Sequence, residues 1–254
     1  MNAYEIVLKS REKGRPTAVK YIEKIVDGFI ELHGDRRFAD DAAVIGGIGT
    51  VCGRPVTVID IEKGEDTNAK VAHNFGCAHP EGYRKAMRLM KEAEKFHRPV
   101  LCFVDTSGAY CGIGAEERGQ AEAIASSIME MIRLKTPALS VLIGEGGSGG
   151  ALGLSAADEV WITETSTYSV ISPEGCASIL WKDSSKVAEA CDCLKLTAND
   201  LIALGAVDRV VPEQGFSDGF FASLKEEIAA FFAEKAKVPA DELIEERYRR
   251  FRKF

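Results

Sequence analysis

Residues Gly144 to Gly150 read GEGGSGG, between an apolar run of strand-forming residues (Leu139 to Ile143) and a run of small residues ending at Asp158. A strand that passes through glycines into a helix aims free backbone N–H groups at one point, where the helix dipole adds partial positive charge. Glycine, lacking a Cβ, lets a ligand approach within hydrogen-bonding distance of that backbone. The spacing predicts an anion or oxyanion site built from main chain, followed by a buried helix. Other readings also fit. Gly144-x-Gly146-x-x-Gly149 has the form of a dinucleotide fingerprint, and Glu164 lies about 20 residues on, as that fingerprint asks. No Gly-Lys-Ser/Thr ending follows, which excludes a Walker loop. Close packing of helix on strand would also place glycines here, with no ligand.

Composition narrows the classes. The 254 residues, 46% hydrophobic, fit one large α/β domain or two small ones. A net charge of −7, with no dense Lys/Arg block, argues against a dedicated nucleic-acid site or a membrane-surface role. No apolar run approaches the ~18 residues of a membrane span, and the start, MNAYEIVLKSREKG, lacks a signal-peptide core. A cytoplasmic protein is expected. The seven cysteines form no C-x-x-C, and His33, His73, His79 and His97 show no metal-ligand spacing. Reduced thiols and no metal on this chain are expected.

The elements around the glycines follow from periodicity. Residues 1–33 read as an amphipathic helical segment with Val19, Ile22, Ile25, Val26 and Phe29 on one stripe. Val44 to Thr50 and Val56 to Ile61, joined by Cys52-Gly-Arg-Pro, read as a hairpin. Glu81 to Phe96 reads as a helix closed by Arg98-Pro99. Val100 to Val104 reads as a buried strand entering a second glycine turn, DTSGAYCGIG, and then a long helix from Glu116 to Leu134. Glu159 to Thr163 and Ser169 to Ser172 follow as extended segments, before a turn at Pro173-Glu-Gly. Phe216 to Phe254 reads as helical, its basic end solvated or facing a partner. Strand, glycine turn, helix, repeated, implies a parallel sheet with helical crossovers. The two glycine turns then lie side by side at the carboxyl ends of adjacent strands, where such sheets bind ligands. A dinucleotide site needs one fingerprint near the start of its domain. Paired donors from neighbouring loops suit an oxyanion of acyl or thioester chemistry instead.

Several long motifs, in order from Leu8 to about Pro212, carry a resemblance: GDRRFADDAAVIGGIG, NFG, PEGYRKAMRLM, FVDTSGAY, GIGAEERGQAEAIA, IGEGGSGGALGLSAAD and STYSVISPEGCASILWKD. Together they resemble the α-chain family of the acetyl-CoA carboxylase carboxyltransferases. The resemblance implies a crotonase-like α/β fold, a β–β–α superhelix with flanking N- and C-terminal helices. It implies one carboxyltransferase domain over residues 1–254, with an N-terminal helical segment (1–33), a core (34–213) and a C-terminal helical segment (214–254). The implied reaction moves the carboxyl group of carboxybiotin, borne on a carrier protein, to acetyl-CoA, giving malonyl-CoA for fatty-acid synthesis. Biotin is then a cofactor on a separate chain, and zinc belongs to a partner β chain.

By the same resemblance, Gly149 and Gly150 are the oxyanion pair. Gly108 and Ala109 offer further N–H groups across the cleft, beside Gly146 and Gly147, and Ser172, Pro173, Glu174 and Gly175 line the biotin side. A side chain at Gly150 is expected to obstruct the ligand and spare the fold. The implied partners are the β chain in an α2β2 assembly, biotin carboxyl carrier protein and biotin carboxylase. The apolar stripes Val19, Ile22, Phe29 and Ile228, Phe231, Phe232 read as oligomer interfaces. Lys63 and Arg84 are candidates for anionic groups of CoA or the carrier, although lone surface cations are more often solvated. Arg118 reads as a structural ion-pair partner, and Tyr168 and Trp181 as core or interface residues. Ser107 and Cys111 stand where the family has prolines, and Glu65 where it has arginine. Two alternatives stand beside this reading: another biotin-dependent acyl-CoA carboxyltransferase or decarboxylase, and a non-catalytic scaffold paralogue.

Overall fold

The computed structural model describes residues 1–254. The chain opens with α1 (Ala3–Ser10) and α2 (Ala18–Ile25), then β1 (Asp27–Glu31), β2 (Val44–Val51) and β3 (Arg54–Ile61). Helices α3 (Thr67–Ala72) and α4 (Pro80–Lys95) lead to β4 (Val100–Thr106), and α5 (Ile113–Glu117) and α6 (Gln120–Arg133) lead to β5 (Ala138–Gly147). After α7 (Ser148–Leu152) come β6 (Glu159–Thr163), β7 (Thr167–Ser169), α8 (Pro173–Leu180), α9 (Val187–Leu194), α10 (Ala198–Ala203) and β8 (Arg209–Val211). Helices α11 (Asp218–Lys235) and α12 (Ala240–Phe251) close the chain. The sheet runs β1-β2-β3-β4-β5-β6-β8, with β7 paired to the end of β5.

The hairpin forms where the alternation placed it, with Cys52 (φ 48°) and Gly53 (φ 77°) making a two-residue turn of the primed kind. From β3 to β8 every pairing is parallel, so the carboxyl ends of β4 and β5 share one rim. The sheet as a whole is mixed, because β1 and β2 add an antiparallel edge. Strand β1 corrects the helical reading of residues 1–33. Helix α2 stops at Ile25, Gly28 has a positive φ of 62°, and Ile30 and Glu31 pair with Ile48 and Gly47 of β2 after an irregular step at Gly28 and Phe29, where Gly47 and Gly49 leave room for the β1 backbone. The long helix expected from Glu116 is likewise two helices, parted at Gly119 in a left-handed conformation (φ 83°). Buried Gln120 then donates to the carbonyls of Ala78 and Tyr110, 2.8 and 2.9 Å away.

Helices α4 and α6 cover one face of the sheet, through Tyr83, Leu89, Met90, Ala123 and Met131. Helices α2 and α11 cover the other, through Tyr21, Ile25, Phe220, Leu224, Ile228 and Phe232. The stripe Ile228, Phe231, Phe232 and the buried Ile22 are therefore spent on this chain's own core and are not oligomer surface. Val19 remains exposed at 38% and Phe29 packs partly buried against the same layer.

The basic tail also turns inward. Leu243, Arg247 and Arg250 sit at one helical stripe of α12, and all three are buried. Arg247 is wholly buried and pairs through Nε with Asp158 Oδ1 at 2.5 Å. Its remaining N–H groups cap the carbonyls of Met131 (2.9 Å) and Leu134 (2.6 Å) at the end of α6, and of Thr136 (2.9 Å). A cation at a helix C-terminus is favourable. Asp158 in turn accepts the N–H of Ala138 at 2.7 Å, so one ion pair ties α12, α6 and the start of β5. Removing one partner of a buried pair strands the other charge. Arg247→Ala is expected to cost about 3–5 kcal/mol, read as a Tm lower by ~10 °C in thermal unfolding.

Asp60 is buried on β3, with Oδ1 accepting the Phe103 N–H at 2.7 Å and Oδ2 without a partner. Burial pushes this carboxyl well above its ordinary value, and the charge of Glu62 adds to the rise. A carboxyl whose pKa is raised by folding contributes stability at low pH that is lost as pH climbs through the folded-state value. Asp60→Asn removes that loss. The Tm of the variant relative to the parent should therefore rise between pH 5 and pH 8, and a pH-independent difference would show that Asp60 does not titrate with folding.

Candidate functional site

Strand β5 keeps its pairing through the glycines, so the expected turn is an extended strand end feeding a single short helix, α7. Its N-cap, Gly147, has no side chain to cap the first turn. The first N–H groups of a helix lack intrahelical acceptors, and α7 starts against the turn that leaves β4. Contact between the two turns is main chain against main chain. A Cβ on Gly150 would meet Ala109 N at 2.6 Å, Gly108 C at 2.9 Å and the Tyr83 hydroxyl at 3.1 Å. On Gly147 it would overlap the Ser107 carbonyl. Gly149 differs: its nearest neighbour would be Ile124 Cγ2 at 3.4 Å, an ordinary contact. Ser148 between them is exposed and holds φ at 49°, unusual for a residue with a side chain. Gly150 is thus buried at a backbone crossing, which removes the basis for expecting a side chain there to spare the fold.

The remaining candidates divide. The Gly108 N–H is already donated to Thr106 Oγ1 at 3.0 Å, so among that pair Ala109 is the residue whose N–H lies against Gly150. Pro173-Glu-Gly opens helix α8 where a turn was expected. Ser172 is its N-cap, accepting the Gly175 N–H at 3.1 Å. Gly146, Gly147, Ser172 and Pro173 come together along one narrow cleft that Arg11 and Glu145 also line. Gly149 instead borders a larger apolar cavity of about 670 Å³, with Leu152, Tyr168, Val170, Leu201 and Leu204. Tyr168 packs against the core, whereas Trp181 ends α8 half in solvent. Glu164, the dinucleotide fingerprint's acid, is exposed at the end of β6.

Beneath the glycines the strand pairing slips. Val104 pairs with Leu142 and Thr106 with Gly146, so Asp105 alone faces Ile143, Gly144 and Glu145. Such a bulge leaves backbone groups without ladder partners. Side chains supply them. Asp105 Oδ1 accepts the Glu145 N–H at 2.9 Å, and its carboxylate lies where a Cβ of Gly144 would be, 2.5 Å away. Arg15 Nε donates to the Ile143 carbonyl at 2.7 Å and NH2 to Glu213 at 2.6 Å. The Glu145 carboxylate is held by Lys63 on one side and by Arg11 at 2.6 Å on the other, and Arg11 continues to Glu174 at 2.6 Å. Burial would raise the Glu145 carboxyl, but Lys63 and Arg11 outweigh it and hold it below the usual range. Burial likewise opposes the charge on Lys63, and Asp105 and Glu145 more than offset it.

Lys63 is therefore neither solvated nor free for an anionic ligand, and Arg84 is buried against Asp35 at 2.8 Å. Arg118 pairs with Glu81, as its structural reading held. Sequence reasoning missed Arg11, Asp105 and Glu145. The available signal was an acid placed between glycines at a strand end, where a lone charge needs a counter-ion.

A model of the family described as acetyl co-enzyme A carboxylase carboxyltransferase-like matches residues 1–254. The acetyl-coenzyme A carboxylase carboxyl transferase subunit alpha of Ruminiclostridium cellulolyticum is 56% identical over 257 residues, covering 100% of this chain and 98% of that one. Its counterpart in Streptococcus sanguinis is 54% identical over 250 residues, covering 98% of each. Among solved structures, the transcarboxylase 12S core with methylmalonyl-coenzyme A and methylmalonic acid bound superposes with a TM-score of 0.73 at 20% identity. The match covers 92% of this chain and 44% of that one, so this chain spans less than half of its length. A Pseudomonas malonate decarboxylase hetero-tetramer in complex with coenzyme A gives 0.69 at 17% identity, over 83% and 86% of the two chains. The structural likeness is one of fold, the crotonase-like α/β fold that the motifs implied.

The backbone crossing makes the glycines unequal. Gly150→Ala should cost about 1–3 kcal/mol, because the neighbour that must give way is main chain. Gly149→Ala should leave Tm unchanged or raise it, by about 0.5 kcal/mol of helix propensity. Thermal unfolding of both variants checks this, and equal losses would remove the contact between the turns as the reason for Gly150.

Proposed function

The chain belongs to the acetyl-CoA carboxylase carboxyltransferase family, and from that premise we propose that it is the α chain of the carboxyltransferase component. In that role it moves the carboxyl group of carboxybiotin, carried on a separate biotin carboxyl carrier protein, to acetyl-CoA to give malonyl-CoA, the entry to fatty-acid synthesis. The observation that carries the reading is the uncapped start of α7 packed against the β4 turn, a main-chain cradle for negative charge. Gly149 and Gly150 present N–H groups to the oxyanion of the biotin ureido group, with Ala109 beside them. Gly146, Gly147, Ser172, Pro173, Glu174 and Gly175 shape the adjoining wall, and the Gly108 N–H keeps the loop closed through Thr106. Preorganised donors of this kind stabilise charge as it develops, without reorganisation during the step.

Residues 1–254 act as one carboxyltransferase domain in this reading. A homologous β chain supplies the donors for the CoA thioester and carries the family's zinc ribbon, the two chains forming α2β2, with biotin carboxylase generating the carboxylated carrier. No helix is long and apolar enough to cross a membrane, and a cytoplasmic setting fits the reading.

The test is co-purification with the β chain followed by malonyl-CoA-dependent carboxylation of free biotin. Ser148→Asp then places a carboxylate at the start of α7, where it competes for the N–H groups and repels an oxyanion while suiting the helix dipole. Turnover should fall about 10²-fold with Tm retained, and Ser148→Asn should lose far less. Unchanged turnover in Ser148→Asp would remove α7 from the mechanism.

A further inference from the structure

We propose that Lys63 and Glu145 are positioning residues that aim the glycine strand end, through the bulge in β5, at the site proposed above; the activity arm of its test rests on that functional reading. The bulge sets the direction in which Glu145, Gly146 and Gly147 leave the β4 ladder to pair with Thr167, Tyr168 and Ser169 of β7. Bulges re-aim a strand by breaking its ladder locally, and the broken ladder keeps one geometry only if its orphan groups are held. Two of them are, by Arg15 at the Ile143 carbonyl and by Asp105 at the Glu145 N–H.

The second device brings a difficulty with it. The Asp105 and Glu145 carboxylates approach the same point from adjacent strands, with side chains only 6% and 12% exposed. Like charges at such a site disfavour one another's ionised forms. Lys63 lies between them, in contact with Glu145 and 3.5 Å from Asp105. Arg11 takes the other oxygen of Glu145 and continues to the exposed Glu174, while Arg15, Glu65 and Lys70 line the same small pocket as Lys63 and Asp105. Lys63 is therefore the one cation touching both acids, and it enters from the loop after β3, a third strand end. Its ammonium fixes where both carboxylates lie, and through the Glu145 backbone it fixes the course of the strand into α7. A misplacement of about 1 Å in a catalytic donor can cost on the order of 10²-fold in rate.

Lys63→Met keeps the volume and removes the charge, leaving Asp105 and Glu145 opposed. Hydrogen exchange on the full chain by itself is the arm that needs no activity. Exchange over residues 144–155, where Gly153, Leu154 and Ser155 donate within and after α7, should become at least about tenfold faster in Lys63→Met, with β4 and α12 unchanged. Adding Glu145→Gln removes the repulsion, so the double variant should return toward the parent, a coupling that independent sites do not show. In the complex with the β chain, Lys63→Met should lower kcat by about 10- to 100-fold, with KM for malonyl-CoA changed less than about threefold. The double variant should recover at least about fivefold in kcat. Unchanged exchange in Lys63→Met, or a double variant worse than the single, overturns the proposal. If the parent complex does not carboxylate biotin, the functional reading fails, and the exchange arm still decides whether Lys63 holds the strand end.

Discussion

Two loops leaving neighbouring parallel strands touch through their backbones, and one methyl group at Gly147 or Gly150 would part them. That contact constrains much of the rest. Strands β4 and β5 must be adjacent and parallel, so that Asp105 to Ala109 and Gly144 to Gly150 leave the sheet at the same rim. Helix α4 must bring Tyr83 beneath α7, where its hydroxyl donates to the Gly150 carbonyl at 3.3 Å. Helix α6 must start late, after the Gly119 break, so that Ile124 comes alongside Gly149. Donors assembled in this way owe their direction to packing, and a rigid strand end holds them more firmly than a free loop.

The stability of this arrangement does not come from apolar burial alone. Of the cations drawn into the molecule, Arg11, Arg15, Lys63 and Arg247 tie the N-terminal segment, the strand ends and the last helix together. Arg15 ties the N-terminal segment to β5, β6 and Glu213, and Arg247 ties the last helix to α6 and Asp158. Lys63 and Arg11 tie three strand ends and α8 around Glu145. Buried ion pairs add little net stability compared with apolar replacements, but breaking one is costly, so they fix register more than they add strength. Three of the four ties meet at the carboxyl rim of the sheet. These charges thus gather where the backbone of β4 and β5 leaves the sheet, at the site proposed for an oxyanion.

The apolar cavity beside Gly149 and the narrow cleft beside Gly146 both border the end of β5 and share Ser169 of β7. In the proposed reading the donors are main chain and the walls belong to neighbouring loops, so no titratable group is needed at the centre. None of His33, His73, His79 and His97 lines either opening, and the charged residues at the cleft are Arg11 and Glu145.

Much of this was legible in the sequence, because periodicity and glycine spacing are local. The hairpin at Cys52-Gly53, the helix over Pro80–Lys95 and the strands entering both glycine turns follow from residues within a few positions of one another. The long motifs identified the family for the same reason. Strand β1 was not legible, since Phe29 fits the helical stripe equally well and only close packing on the glycines of β2 places this stretch in the sheet. The tail carrying Arg247 read as solvated or partner-facing, Lys63 read as a ligand candidate or a solvated cation, and Glu145 was missed, because composition cannot show counter-ions that lie 42 to 89 residues away. Gly149 and Gly150 read as equals, and only the crossing of two backbones separates them. The sequence by itself determined most of the elements and the glycine motif; the tertiary structure decided which charges are buried and which glycine sits at the backbone crossing, because both depend on contacts between segments that local pattern does not encode.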